Sequence, residues 1–94
     1  MYRDKKISLV IPAYNEEKLI RPTLENVPEI YDRVYVVDDA SPDNMADVIR
    51  EMALKDPRIQ LLQHSVNSGT GQGIITGYLK SYEEGYDIAV VCGG

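Results

Sequence analysis

The sequence predicts an α/β fold: a mostly parallel four-stranded sheet with helices on both faces, in three layers. Short apolar runs alternate with segments of helical periodicity. The runs are apolar almost throughout, as strands covered by helices on both sides must be. Each of the first three also ends in a polar or glycine-rich cluster. Residues 7–11 lead into Pro12-Ala13-Tyr14-Asn15-Glu16-Glu17, residues 33–37 into Asp38-Asp39-Ala40-Ser41-Pro42-Asp43, and residues 59–63 into Asn67-Ser68-Gly69-Thr70-Gly71. In an open parallel sheet, crossover connections bring successive strand ends to one edge, and ligands bind outside the carboxyl ends. The three clusters are therefore expected to converge on one site.

After the first strand, Leu19, Ile20, Thr23, Leu24 and Val27 recur at helical spacing. Asn15 is the expected N-cap, two glutamates suit the helix dipole, and the helix should end near Pro28. The second helix carries a cleaner stripe of Met45, Val48, Ile49, Met52 and Ala53, opened by Asp43 or Asn44 and closed by Asp56-Pro57. In the third, Ile74, Ile75, Tyr78, Leu79 and Tyr82 share one face, expected to supply core and rim packing, and Gly85 is the expected C-terminal cap before a fourth strand at 88–92. The order is βαβαβαβ. With no internal repeat, low-complexity segment or linker, residues 1–94 read as one domain.

A chain of 94 residues with 44% hydrophobic content supports one modest core, burying roughly 60 to 65% of its unfolded surface. The net charge of -5, with acids spread along the chain, disfavours nucleic acid or an anionic membrane as a direct electrostatic partner. The single cysteine, Cys92, excludes an internal disulfide and suits a reducing cytoplasm; within the apolar run 88–92 it reads as core. No apolar stretch reaches the roughly 20 residues of a membrane span, and no signal peptide is visible.

The polar clusters carry the chemistry. Proline has no amide hydrogen, so Pro12 is expected to end the first strand's ladder and leave backbone groups of Ala13 and Tyr14 free to meet a planar ring. Tyr14 is placed to stack on a base, and Glu16 to accept hydrogen bonds from vicinal ribose hydroxyls. A solvated helix N-terminus explains the same segment equally well. Asp38-Asp39 is less easily explained by structure alone. Two adjacent carboxylates leaving a buried strand are costly unless hydrogen-bonded, solvated at a site mouth or near a cation. An aspartate there can accept the ring imide hydrogen of uracil, or two donors from guanine. One of the pair, Asp39 by position, could instead cap a turn through Ser41-Pro42-Asp43.

Gly69-Thr70-Gly71-Gln72-Gly73 lacks the G-x-G-x-x-G spacing of a dinucleotide loop and the Gly-Lys-Ser/Thr of a P-loop. It reads as a helix-opening loop whose amides approach a ligand, with Asn67 fixing the turn. Gly73 and Gly77 serve either that loop chemistry or close packing of helix on sheet. His64 reads as an exposed loop residue, without partners for a zinc site.

Taken together, these motifs resemble the nucleotide-binding half of a family 2 glycosyltransferase with the GT-A, Rossmann-like fold. The resemblance rests on the Pro12 to Glu17 and Asp38 to Asp43 clusters and on Asn67-x-Gly69-x-Gly71 leading to Gly77. From Thr76-Gly77-Tyr78 to Gly85-Tyr86-Asp87-Ile88 the chain is most similar to polyprenyl-phosphate hexose synthases. The resemblance implies that Pro12, Ala13 and Tyr14 contour the base, Glu16 binds the ribose, Asp38 and Asp39 read the base edge, and Asn67, Gly69 and Gly71 line the nucleotide pocket. Many relatives carry a lysine where this chain has Thr70.

It also implies a partner, a nucleotide-diphosphate sugar, and a Mg2+ or Mn2+ ion in the full-length enzyme. The carboxylate for that ion comes from an Asp-x-Asp motif after the fourth strand. Here Gly93 takes its first acid position and the second falls just beyond Gly94, so no catalytic or metal-binding residue is expected within the chain. The expectation is a truncated donor-binding half, inactive alone, from an inverting enzyme that moves a hexose from a UDP- or GDP-sugar to an acceptor such as a polyprenyl phosphate. The setting is cytoplasmic, the parent membrane-associated, and an exposed sheet edge favours self-association. A non-catalytic nucleotide-binding or assembly module is the competing reading.

Overall fold

The computed structural model describes residues 3–92. Within them the elements run β1 (Ile7–Ala13), α1 (Glu17–Glu25), β2 (Arg33–Asp38), α2 (Met45–Lys55), β3 (Ile59–Gln63), α3 (Thr70–Glu83) and β4 (Ile88–Val91). All ladders are parallel and the strand order is β3-β2-β1-β4. The expected three-layer α/β architecture is the one found, and it puts the carboxyl ends of β1, β2 and β3 side by side.

Side-chain alternation along the strands assigns each to two cores. Leu9, Ile11 and Ala13 of β1 and Val34 and Val36 of β2 pack with Ile20 and Leu24 of α1 and Met45, Ile49 and Met52 of α2. Burying each large aliphatic side chain contributes about 1.5–3 kcal/mol. The opposite face is smaller: Val10, Tyr35 and Val37, with Leu62, Tyr86 and Val91 packed against them. Tyr35 meets Tyr86 edge to face at 6.1 Å between ring centroids, and its hydroxyl donates to Glu84. Burial, with that carboxylate, raises the Tyr35 hydroxyl's pKa. At the opposite end of the sheet from the polar clusters, Arg58 donates to the carbonyls of Pro28 (2.8 Å) and Tyr31 (3.1 Å) while paired with Asp56, fixing the α1–β2 connection.

Several local expectations are corrected. Pro12 does not end the β1 ladder, which continues to Ala13, with Pro12 opposite Val37 and Ala13 opposite Asp38. The Val10 carbonyl accepts from Cys92 N–H, so residues of that parity face β4. The donor that Pro12 lacks is therefore on the side where the β1–β4 register has ended at Val10 and Val91. Asn15 is not the α1 cap: it adopts a left-handed conformation at φ 53°, and Glu16 precedes the first helical residue. The helix stops at Glu25, short of Pro28.

The largest correction concerns α3. Its buried residues are Gly73, Gly77 and Ser81, whereas Ile75, Tyr78, Leu79 and Tyr82 are exposed, Tyr82 to 85%. Neither tyrosine packs in the core or at its rim. A Cβ on Gly77 would come within 2.3 Å of Val10 Cγ1, and one on Gly73 within 3.2 Å of Pro12 Cβ. Close approach of backbone to sheet fixes this helix, so the small residues face inward and the apolar stripe faces out. Ser8 and Ser81 meet at 2.7 Å across the contact. Gly85, at φ 85°, follows the helix as expected, and the Tyr86 and Gly85 amides return to the Ser81 and Tyr82 carbonyls. Cys92 is a free thiol, half-buried against the α1–α2 core.

Candidate functional site

The loops after β1 and β2 hold each other. Each turns through a non-glycine residue in the left-handed region two positions beyond its strand, Asn15 at φ 53° and Ala40 at φ 59°. Asn15 N–H donates to Ser41 Oγ at 2.8 Å. The Asp43 carboxylate serves two helices, accepting Glu17 N–H of α1 on Oδ2 (3.1 Å) and Met45 N–H of α2 on Oδ1 (3.1 Å). Glu17 returns the contact by accepting Asn44 N–H at 3.2 Å. Unsatisfied amides at two helix starts are thus covered by one carboxylate, which also suits both helix dipoles.

Asp38 and Asp39 are both buried, yet their roles divide differently from expectation. The acid that caps the turn after β2 is Asp38, whose Oδ1 accepts Ser41 N–H at 2.9 Å. Asp39 faces the other way. Its Oδ1 contacts His64 Nδ1 and accepts Ser68 N–H, each at 2.8 Å, and its Oδ2 accepts Gly69 N–H at 2.8 Å. These donors, the His64 bond foremost, lower the Asp39 pKa below the usual carboxylate value. The turn before α3 is therefore held by Asp39, and Asn67, expected to fix it, is exposed.

His64 corrects another expectation. Instead of an exposed loop residue it is a half-buried bridge, with Nδ1 on Asp39 and Nε2 2.8 Å from Thr76 Oγ1 of α3. A signal for it existed in the sequence. It directly follows β3, and the Asp38–Gln63 register sets it beside Asp39 once the two strands are aligned in parallel.

Pro12, Ala13, Tyr14, Glu16, Asp39 and Gly69 line one cleft at the carboxyl edge, joined by Thr70, Gly73, Ile74 and Val91. Tyr14 is exposed and Glu16 half-buried at its wall. Asp38, Asn67 and Gly71 stand outside this lining; Gly71 is exposed on the first turn of α3, with open space where a Cβ would project. The cleft thus offers an exposed aromatic ring, two carboxylates and a glycine at a helix start, a set suited to a planar heterocycle and neighbouring hydroxyls. Among the described residues no group of three or more His, Cys, Asp or Glu side chains is arranged to hold a metal. The expected first acid position, Gly93, and Gly94 after it are outside the described residues.

A parallel sheet in the order β3-β2-β1-β4, with helices on both faces, is the Rossmann-like core of the GT-A glycosyltransferases. The chain matches the glycosyl transferase family 2 description over residues 8–91 and belongs to that family. Over 93% of its length it is 38% identical to a UDP-N-acetylglucosamine–dolichyl-phosphate N-acetylglucosaminyltransferase of Methanococcus voltae, covering 40% of that protein. It is 37% identical over 90% of its length to an undecaprenyl-phosphate mannosyltransferase of Micrococcus luteus, covering 36% of it. Among solved structures, the mannosyltransferase PcManGT from Pyrobaculum calidifontis, in complex with GDP-Man and Mn2+, superposes with a TM-score of 0.74 at 25% identity, over 81% of this chain and 24% of that one. The chain therefore spans well under half the length of these relatives. No helix among the described residues is long and apolar enough to cross a membrane.

Proposed function

We propose that this chain is the donor-binding unit of an inverting glycosyltransferase, with residues 1–94 forming one such unit. The parent protein moves a hexose from a UDP- or GDP-sugar to an acceptor, and the polyprenyl-phosphate enzymes among its relatives favour a lipid phosphate as that acceptor. The observation that carries the reading is the meeting of Tyr14, Glu16 and Asp39 in one cleft at the carboxyl edge of a family 2 core. In this reading Pro12, Ala13 and Tyr14 contour the base, Glu16 accepts from the ribose hydroxyls, Asp39 reads the base edge and Gly69 lets the loop approach the ligand. Asp38, which caps the turn after β2, supports the base-reading acid, and Asn67 and Gly71, outside the cleft's lining, are assigned to the wider nucleotide pocket.

A divalent cation bound in the parent would supply electrostatic stabilisation of the departing diphosphate. No described residue of this chain is assigned to it. The 94-residue chain accordingly binds nucleotide without turnover. The same proposal includes a cytoplasmic setting for the donor reaction, a membrane-associated parent and self-association of this chain through the outer edge of β4.

The test is a chemical-shift titration of the labelled chain with UDP, GDP and ADP, each with and without Mg2+. Saturable shifts at Tyr14, Glu16 and Asp39 for a uridine or guanosine nucleotide, with none for ADP, are expected. A folded protein that gives no shifts at these residues with any of the three would sink the donor-site reading.

A further inference from the structure

Asp39 enters the cleft with most of its hydrogen-bonding capacity committed. An ionised carboxylate offers about four acceptor positions, two on each oxygen. On Oδ1 one is taken by His64 Nδ1 and the other by Ser68 N–H; on Oδ2 one is taken by Gly69 N–H. What remains is a single position on Oδ2. The tautomer of His64 follows from its partners. An ionised Asp39 only accepts, so Nδ1 carries the proton, and in the neutral ring Nε2 accepts from the Thr76 hydroxyl. The ring is pinned at both ends and its side chain is 14% exposed. It does not line the cleft, so it acts through Asp39 as a positioning residue.

We propose that His64 sets the base preference of the cleft: by filling Oδ1 it leaves Asp39 one acceptor position, which matches uracil with its single ring imide N–H. Guanine is one position short, because its Watson–Crick edge presents two adjacent donors, N1–H and the amino group. To engage both, it must expel His64 or Ser68 from Oδ1, leaving that donor unpaired. The inference rests on the donor-site reading of the cleft and narrows it from uridine or guanosine nucleotides to uridine.

The experiment titrates UDP and GDP separately, with Mg2+, into the 94-residue chain and its variants and compares the two affinities. The wild-type chain is expected to bind UDP about tenfold tighter than GDP, the worth of one hydrogen bond. His64→Ala opens a position on Oδ1, so the UDP-to-GDP preference should shrink at least about threefold. His64→Asn, whose amide nitrogen can stand where Nδ1 stands, should restore the preference, and His64→Gln, which reaches toward Thr76 instead, should not. A purely structural role would weaken both nucleotides alike and leave the ratio in place. Long-range 15N spectra of the nucleotide-free protein should show the His64 ring protonated at Nδ1.

Equal affinity for the two nucleotides, a preference for GDP, or an unchanged ratio in a folded His64→Ala chain overturns the inference while leaving the donor site intact. A ring protonated only at Nε2 overturns it without reference to any ligand. If neither nucleotide binds, the donor site fails and the base preference with it. Should His64→Ala not fold, the contrast between His64→Asn and His64→Gln decides the matter.

Discussion

Asp39 makes the folded chain sensitive to acid in a direction fixed by its partners. Its folded-state pKa is lowered, chiefly by the hydrogen bond from His64 and then by the Ser68 and Gly69 amides. A group whose pKa is lowered on folding contributes stability that is complete above its unfolded value and is lost as pH falls through the folded one. Asp39→Asn keeps the shape but not the charge. In urea unfolding it should be clearly less stable than wild type at neutral pH, and the gap should close below about pH 4, the unfolded carboxylate value. A gap that stays constant down to pH 3 would show that the charge is not what the three donors hold. At this scale the sequence was half legible. The acid pair at the end of β2 stood out because adjacent carboxylates rarely leave a buried strand without partners. Which acid caps the turn did not, because Asp38 and Asp39 are told apart only by the partners that β3 and the α3 loop bring from 25 to 30 positions away.

At the scale of elements, α3 shows two periodic signals competing for one helix. The apolar stripe of Ile74, Ile75, Tyr78, Leu79 and Tyr82 is what hydrophobic periodicity selects, and the protein buries Gly73, Gly77 and Ser81 instead. That triplet repeats every four residues; close packing of helix on sheet was one of the two readings the sequence offered for Gly73 and Gly77, it is the one found, and Ser81 extends it by a turn. Strand placement and the α2 stripe were legible because there the two criteria coincide: Met45, Ile49 and Met52 are both apolar and inward. The α1 start was not, since its first amide is capped by Asp43 from another loop, 26 positions away. Gly77→Ala tests the close contact directly. Its Cβ would fall 2.3 Å from Cγ1 of Val10, a fully buried, β-branched side chain that cannot turn aside. The substitution should destabilise by about 1–3 kcal/mol despite a better helix propensity. Gly73→Ala, 3.2 Å from Pro12 Cβ, should cost clearly less. Equal effects in equilibrium denaturation would remove close approach as the reason for the inverted helix.

On the scale of the whole molecule, the three helices leave β4 incompletely covered. α3 alone covers one face of the sheet, with Leu79 and Tyr82 directed outward, and on the α1–α2 face Ile88 and Val90 of β4, in register with Ile7 and Leu9, stay exposed. β4 pairs only with β1, so among the described residues its other edge offers unpaired backbone groups next to apolar side chains. An open, uncharged edge of this kind recruits another strand, and the strand most available in a solution of this chain is β4 of a second copy. Sedimentation across the micromolar to millimolar range should show a concentration-dependent dimer. Val90→Lys puts a charge on that edge, the device by which sheet proteins keep edges apart, and should return the chain to monomer without loss of fold. Leu79→Lys on the outer face of α3 separates the two surfaces: if it alone abolishes association, the contact is helical and the strand edge is a bystander. A wild-type chain that stays monomeric throughout would mean that four short residues at the β4 edge are too few to hold a second copy.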